Sequence, residues 1–157
     1  MGVEAVGYEV SRRTVTLMAP SKTYNIPGLH CSMAIVPDPE LRRKLREAEP
    51  PFFPEGNALG FVAALAAYRD GDEWLQQGLD YLEKNRDIVT DFVAREMPGV
   101  ETVRPEATYL AWLDCRQTAL VQNPCQFFLE KGRVAFNDGE TFGKGGQGFV
   151  RVNFGCP

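Results

Sequence analysis

The chain has 157 residues, 44% of them hydrophobic, and a net charge of -4. That is long enough for a real core, and the acidic balance argues against a general nucleic-acid or anionic-membrane partner. Four cysteines with no CxxC pair and a single histidine argue against both a zinc site and a disulfide framework, and predict the reduced thiols of a cytoplasmic protein.

The first residues lack a basic segment followed by an apolar run, so no secretory signal is predicted. Val6 stands where a myristoylation motif needs Ser or Thr. No run approaches the ~20 apolar residues of a membrane-spanning helix. Thr14 to Met18 and Ser32 to Val36 read as two short strands, mostly unalternating, a pattern that suits burial on both faces. Asp38-Pro39 opens a helix, with Asp as cap and Pro tolerated in the first turn. Its cluster Arg42, Arg43, Lys44 and Arg46 is interleaved with Glu40, Glu47 and Glu49, the composition of a solvated face.

Glu49 to Gly56 holds three prolines and cannot be regular structure, and its Phe52 and Phe53 read as exposed. From Asn57 to Tyr68 an Ala-rich run predicts a helix, apolar nearly all round and therefore buried between layers. Asp70-Gly71-Asp72 breaks the chain. Leu75, Leu79, Leu82, Val89 and Val93 then mark an amphipathic helix of about 25 residues, interrupted by Arg86 and ended by Pro98-Gly99. Further on, Glu101 to Val103, Thr108 to Leu113, Val134 to Phe136 and Phe149 to Phe154 predict strands. Asn123-Pro124 predicts a short helix between them. A domain boundary is placed near Pro98.

Several motifs invite a chemical reading. Gly143 to Gly148 is glycine-rich, but Gly139 stands one residue too close to Gly143-Lys144 for a P-loop and no Ser or Thr follows the lysine. A hairpin turn is predicted instead. Asp70, Asp72 and Glu73 lack calcium-loop spacing and read as helix capping. His30 has no nucleophile-elbow serine to serve. Lys22 closely follows an apolar strand, in a polar loop closed by Pro27-Gly28 before the next strand; an exposed loop lysine is one reading of it, and a functional residue the other.

The string APSKTYNIPGLHCSMAIVP resembles the cofactor-lysine segment of class I/II aminotransferase-like, fold-type I pyridoxal-phosphate enzymes, most of all the bacterial cystathionine β-lyase branch. PEATYLAWLD from Pro105, FFLEKGRVAF from Phe127 and NDGETFGKGGQGFVRVNFGCP from Asn137 support it in the right order. The resemblance implies an α/β fold: residues 1-97 as the end of the large cofactor domain with a long connecting helix, and residues 98-157 as the small α+β domain. Lys22 would form the Schiff base with pyridoxal 5'-phosphate and move protons at the substrate Cα, a role that suits an amine whose pKa falls on burial. Ser21 and His30 would help hold the cofactor phosphate, and Arg151 would grip the substrate carboxylate with its planar fork. Where many relatives place a serine and an arginine on that phosphate, this chain has Ala19 and His30.

The resemblance also implies that the chain is the C-terminal portion of such an enzyme, without the residues expected to grip the cofactor ring. The implied reaction is β-elimination of cystathionine or a cysteine S-conjugate to pyruvate, ammonia and thiol. Transamination is a second possibility, and a truncated remnant serving as an interaction or oligomerising domain a third. The implied partners are a small amino-acid substrate and a second copy of the chain, as a homodimer or another self-association.

Overall fold

The structure, a computed structural model, describes residues 7–50, 56–120 and 123–156. The chain divides into two units, Met1–Leu75 and Gln76–Pro157. The first contains helix α1 (Tyr8–Ser11), strand β1 (Thr16–Met18), helix α2 (Pro20–Thr23), a 3-10 turn (Pro27–Leu29), strand β2 (Met33–Ile35), and helices α3 (Pro39–Glu47) and α4 (Ala58–Asp70). Helix α5 (Asp72–Glu96) begins in the first unit and continues into the second.

Local signals set these helices as the sequence predicts. The Asp38 carboxylate accepts a hydrogen bond from the Leu41 amide at 2.8 Å, and the Asn57 side chain accepts from the Leu59 amide at 3.0 Å. Each satisfies one of the amides that a helix start leaves without a partner. Helix α5 has 25 residues, roughly 37 Å at 1.5 Å per residue. Residues 51–55, with Phe52 and Phe53, lie outside the described residues.

Two expectations of burial fail. Strands β1 and β2 pair antiparallel, Thr16 with Ile35 and Met18 with Met33, and form a two-stranded ribbon. Leu17 is 78% exposed, and Met18, Met33 and Ile35 are exposed as well. No third strand of the described residues joins the ribbon, so apolar composition alone could not bury it. Helix α4 buries only Gly60 and Ala64, while Leu59, Phe61, Val62 and Leu65 face outward. The reason is steric. A Cβ at Gly60 would overlap the Leu29 carbonyl oxygen, so α4 packs through its smallest residues and its large ones are left on the far side.

The second unit is a four-stranded antiparallel sheet in the order β3 (Glu101–Thr102), β4 (Leu110–Asp114), β6 (Phe149–Asn153), β5 (Asn137–Asp138). Ala111, Leu113, Val150 and Phe154 are buried with Val93 and Val100, and Val89 packs against the same cluster. One face of the sheet therefore receives the C-terminal part of the predicted α5 stripe, Val89 and Val93, whereas Leu79 of the same stripe is exposed. Arg86, which interrupts that stripe, keeps its charge compensated: it meets Glu83 at 2.7 Å and Asp87 at 2.9 Å. Arg104 reaches the same Asp87 at 2.7 Å, and the two arginines, Arg86 foremost, hold its carboxyl below the usual range.

Helix α6 (Pro124–Phe127) starts on Asn123, whose side chain accepts from the Gln126 amide. A π-turn, Phe128–Gly132, extends it and ends at Arg133 in the left-handed conformation. The strand expected at Val134 to Phe136 is absent, because its backbone is engaged elsewhere. The Val134 amide donates to the Phe128 carbonyl at 3.1 Å, and the Phe136 carbonyl accepts from the Cys125 thiol at 3.4 Å.

No helix among the described residues is long and apolar enough to cross a membrane. The thiols differ sharply. Cys115 is fully buried, and burial, aided by the neighbouring Asp114 charge, pushes its pKa up to about 11. Cys156 is exposed. Brief alkylation of the folded chain at pH 8 is expected to modify Cys156 and spare Cys115, which reacts only after denaturation. Peptide mapping of the alkylated sites checks this.

Candidate active site

Lys22 is the third residue of α2, which follows β1 after the single residue Ala19. Pro20 at the start of this short helix is fully buried and fixes the turn from below. On its far side Tyr24 sits between two aromatic rings, edge-on to Tyr68 at 5.4 Å and stacked near Trp74 at 6.5 Å. Buried proline and wedged tyrosine thus hold Lys22 from both directions while its side chain stays exposed. Its amine makes no hydrogen bond or ion pair among the described residues.

Ser21 is half-buried and His30 exposed. Neither side chain is engaged in a hydrogen bond among the described residues. His30 closes the 3-10 turn in the left-handed conformation, φ 47°, with its amide donating to the Pro27 carbonyl at 3.3 Å. The polar loop expected around Lys22 is therefore two short turns, each begun by a proline.

Arg151 lies in the second unit at the centre of β6, facing Trp112 of β4 and Asn137 of β5 in register. Val150 is buried in the core, so Arg151 projects from the opposite face of the sheet, as the alternation predicts. There its Nη2 donates to Asn137 Oδ1 at 3.1 Å, and its guanidinium carbon lies 4.4 Å from the centre of the Phe142 ring. The Nε is buried and has no hydrogen-bond partner. No carboxylate pairs with Arg151 among the described residues.

Arg116, on the same face, behaves otherwise. It holds Asp114 through two bonds, at 2.9 and 2.6 Å, and lies over the Phe149 ring at 4.6 Å. The Asp114 carboxyl is held below its usual range, first by the hydrogen bond from the Arg116 side chain. One arginine on this face has its anion and the other has none. A guanidinium with a buried, unpaired N–H is a donor waiting for an acceptor, since leaving such a group unsatisfied is costly.

Three residues of this face were not singled out in the sequence: Trp112, Asn137 and Phe142. Alternation along β4 places Trp112 beside Arg151 once the register is known, but the register itself is not written in either strand. Phe142 lies nine residues from Arg151 across a loop, and no periodicity predicts their contact. Thr108, just before β4, has φ 66°, an outlying conformation for a β-branched residue that marks the entry to the same strand.

The family model for aminotransferase class I and II matches residues 4–157. Cystathionine beta-lyase PatB of Bacillus subtilis is 40% identical over 145 residues, 91% of this chain and 38% of that protein. The crystal structure of OvoB superposes with a TM-score of 0.90 at 42% identity, over 98% of this chain and 39% of that one. A beta-cystathionase structure from Corynebacterium diphtheriae, described as putative and PLP-dependent, superposes at 0.88 with 38% identity, over 96% of this chain and 40% of that one. The chain thus spans about two fifths of the length of these relatives. With the model matched from residue 4 to residue 157, the chain belongs to the aminotransferase class I and II family, whose members share the pyridoxal-phosphate fold seen in these neighbours.

Proposed function

We propose that the chain carries the cofactor lysine and the carboxylate anchor of a pyridoxal-phosphate enzyme that cleaves the Cβ–S bond of cystathionine or a related cysteine S-conjugate. The observation that carries the reading is what stands at the two motif positions. Lys22 offers a free amine on a short turn, and Arg151 a guanidinium without a carboxylate whose buried Nε has no hydrogen-bond partner. A primary amine with no competing partner fits the aldehyde of that cofactor, and the Ser21 hydroxyl and His30 imidazole are assigned to its phosphate. When bound, the cofactor supplies the electron sink that lets a proton leave the substrate Cα.

The chain's own residues do the rest. Arg151 fixes the substrate through its α-carboxylate, with Asn137 holding one side of the guanidinium in place. Lys22, whose amine would hold the cofactor, would be the general base that takes the proton from Cα. The net reaction proposed consumes one water and gives pyruvate, ammonia and the thiol released from Cβ. The relatives named as cystathionine lyases favour elimination over transamination. We assign the helix that ends at Glu96 as the connector and residues 98–157 as the small domain. The exposed apolar ribbon and the outer face of α4 favour self-association through those surfaces.

The test is direct. The chain is incubated with pyridoxal phosphate, reduced with borohydride and digested, and the labelled lysine is mapped. Label concentrated at Lys22, well above that at Lys44, Lys84, Lys131 and Lys144, is the expected result. Label spread evenly over the lysines would sink the assignment.

A further inference from the structure

The glycine-rich stretch, which is no phosphate loop, has a structural task on the same face as Arg151. Residues 139–148 join β5 to β6, neighbouring antiparallel strands. The loop opens with a 3-10 turn, Gly139–Phe142, started by the Asp138 side chain, which accepts from the Glu140 amide at 3.0 Å. Gly139 and Gly146 then meet backbone to backbone. A Cβ on Gly146 would overlap the Gly139 carbonyl, and a Cβ on Gly139 would overlap the carbonyls of Gly146 and Phe149. Both glycines are buried. The loop is therefore pinned shut at its base, with Phe142 between the two pinned positions.

Phe142 is spent on Arg151 rather than on the core. It is 51% exposed, yet its ring meets the Arg151 guanidinium at 4.4 Å and Trp112 edge-on at 5.6 Å. Trp112 stacks in turn on Phe149 at 5.4 Å. A row of three rings thus lies along this face, with Arg151 at one end and the Asp114-bound Arg116 at the other. A phenyl face attracts a guanidinium through its quadrupole and leaves the in-plane N–H groups free for an acceptor.

We propose that Phe142, delivered by the Gly139–Gly146 pin, is a positioning residue that holds the Arg151 guanidinium ready for a carboxylate. The proposal rests on the reading of Arg151 as the carboxylate anchor. Asn137 takes one Nη2 hydrogen from the side, and the Phe142 ring fixes the plane. The Nε remains unpaired.

The test uses the full chain, with the Arg151 Nε–H followed by NMR and propionate as the probe. Two variants are compared with the parent. Phe142→Leu keeps apolar bulk and removes the ring face, whereas Phe142→Tyr keeps the face. Exchange of the Arg151 Nε–H with water is expected to rise about threefold in Phe142→Leu, the change that follows loss of a partly exposed cation–π contact. In Phe142→Tyr it should stay near the parental rate. Equal exchange in Phe142→Leu and the parent would overturn the proposal, as would equal loss in both variants. Propionate, but not propionamide, should shift the parental signal, with affinity about threefold weaker in Phe142→Leu. Equal affinity in the two would also overturn it. If propionate leaves the parent unmoved, the carboxylate role of Arg151 fails, while the exchange rates still decide what holds its side chain.

Discussion

Leu113→Ala lowers the stability of the second unit by about 3 to 4 kcal/mol, the cost of an unfilled cavity in a well-packed core. Leu113 is 2% exposed and is among the largest fully buried side chains of the molecule. It lies between Val150, its register partner on β6, and the cluster that includes Val93 from α5. Its neighbours are held by sheet hydrogen bonds and by the helix, so they cannot collapse into the space. A urea titration monitored by circular dichroism would show the midpoint falling with an unchanged slope. A loss below about 1 kcal/mol, the scale of a surface change, would mean that the core is more pliable than its burial implies.

Gly146→Ala has the second-largest effect. The added methyl group would overlap the Gly139 carbonyl and crowd the Glu140 amide, both of which are backbone and cannot swing aside. The loop must open, and the expected loss is about 2 to 3 kcal/mol, in the range of overpacked sites. The same change lifts Phe142 from Arg151, so the Arg151 Nε–H should exchange faster in Gly146→Ala even where the protein remains folded. Gly143→Ala serves as a control of a different kind. Its Cβ would meet nothing within 4 Å, but its φ of 109° strains any other residue. It should lower stability without the overlap at the base of the loop.

The parts legible in the sequence are those set by neighbouring residues. The cap at Asp38 and the helix starts at Asn57 and Asn123 could be read because a helix start needs only the next turn of chain. The length of α5 followed from its apolar period and from the breaks at Gly71 and Pro98. The outward face of Arg151 followed from the valines beside it. Burial was not legible, because β1, β2 and α4 are apolar without finding cover in the described residues, and a composition cannot show which layers are present. Nor was the aromatic row on the sheet. Phe142, Trp112 and Phe149 come from three separate stretches and meet only through the β4–β6 register and the glycine contact. Lys22 stood between the two cases: its strand-then-turn placement was visible, and its role came only from the order of motifs along the chain.

The Asn85 side chain has a consequence in time as well as in energy. Its amide donates to the carbonyls of Phe154 and Cys156, at 3.0 and 2.9 Å, the first across 69 positions of sequence. Closing a loop of that length costs roughly 4 kcal/mol of chain entropy beyond the fixed part, before any contact returns it. β6, the strand that carries Arg151, also lies between β4 and β5 in the sheet; β5 can pair with it across a short loop, but β4 must find it across a far longer stretch of chain. Helix α5 can form within microseconds on its own residues, but the sheet must wait for a distant strand to arrive at its centre. The rate of folding of this unit is therefore expected to follow the search of the β5–β6 hairpin for β4, the step that brings Arg151 beside Trp112.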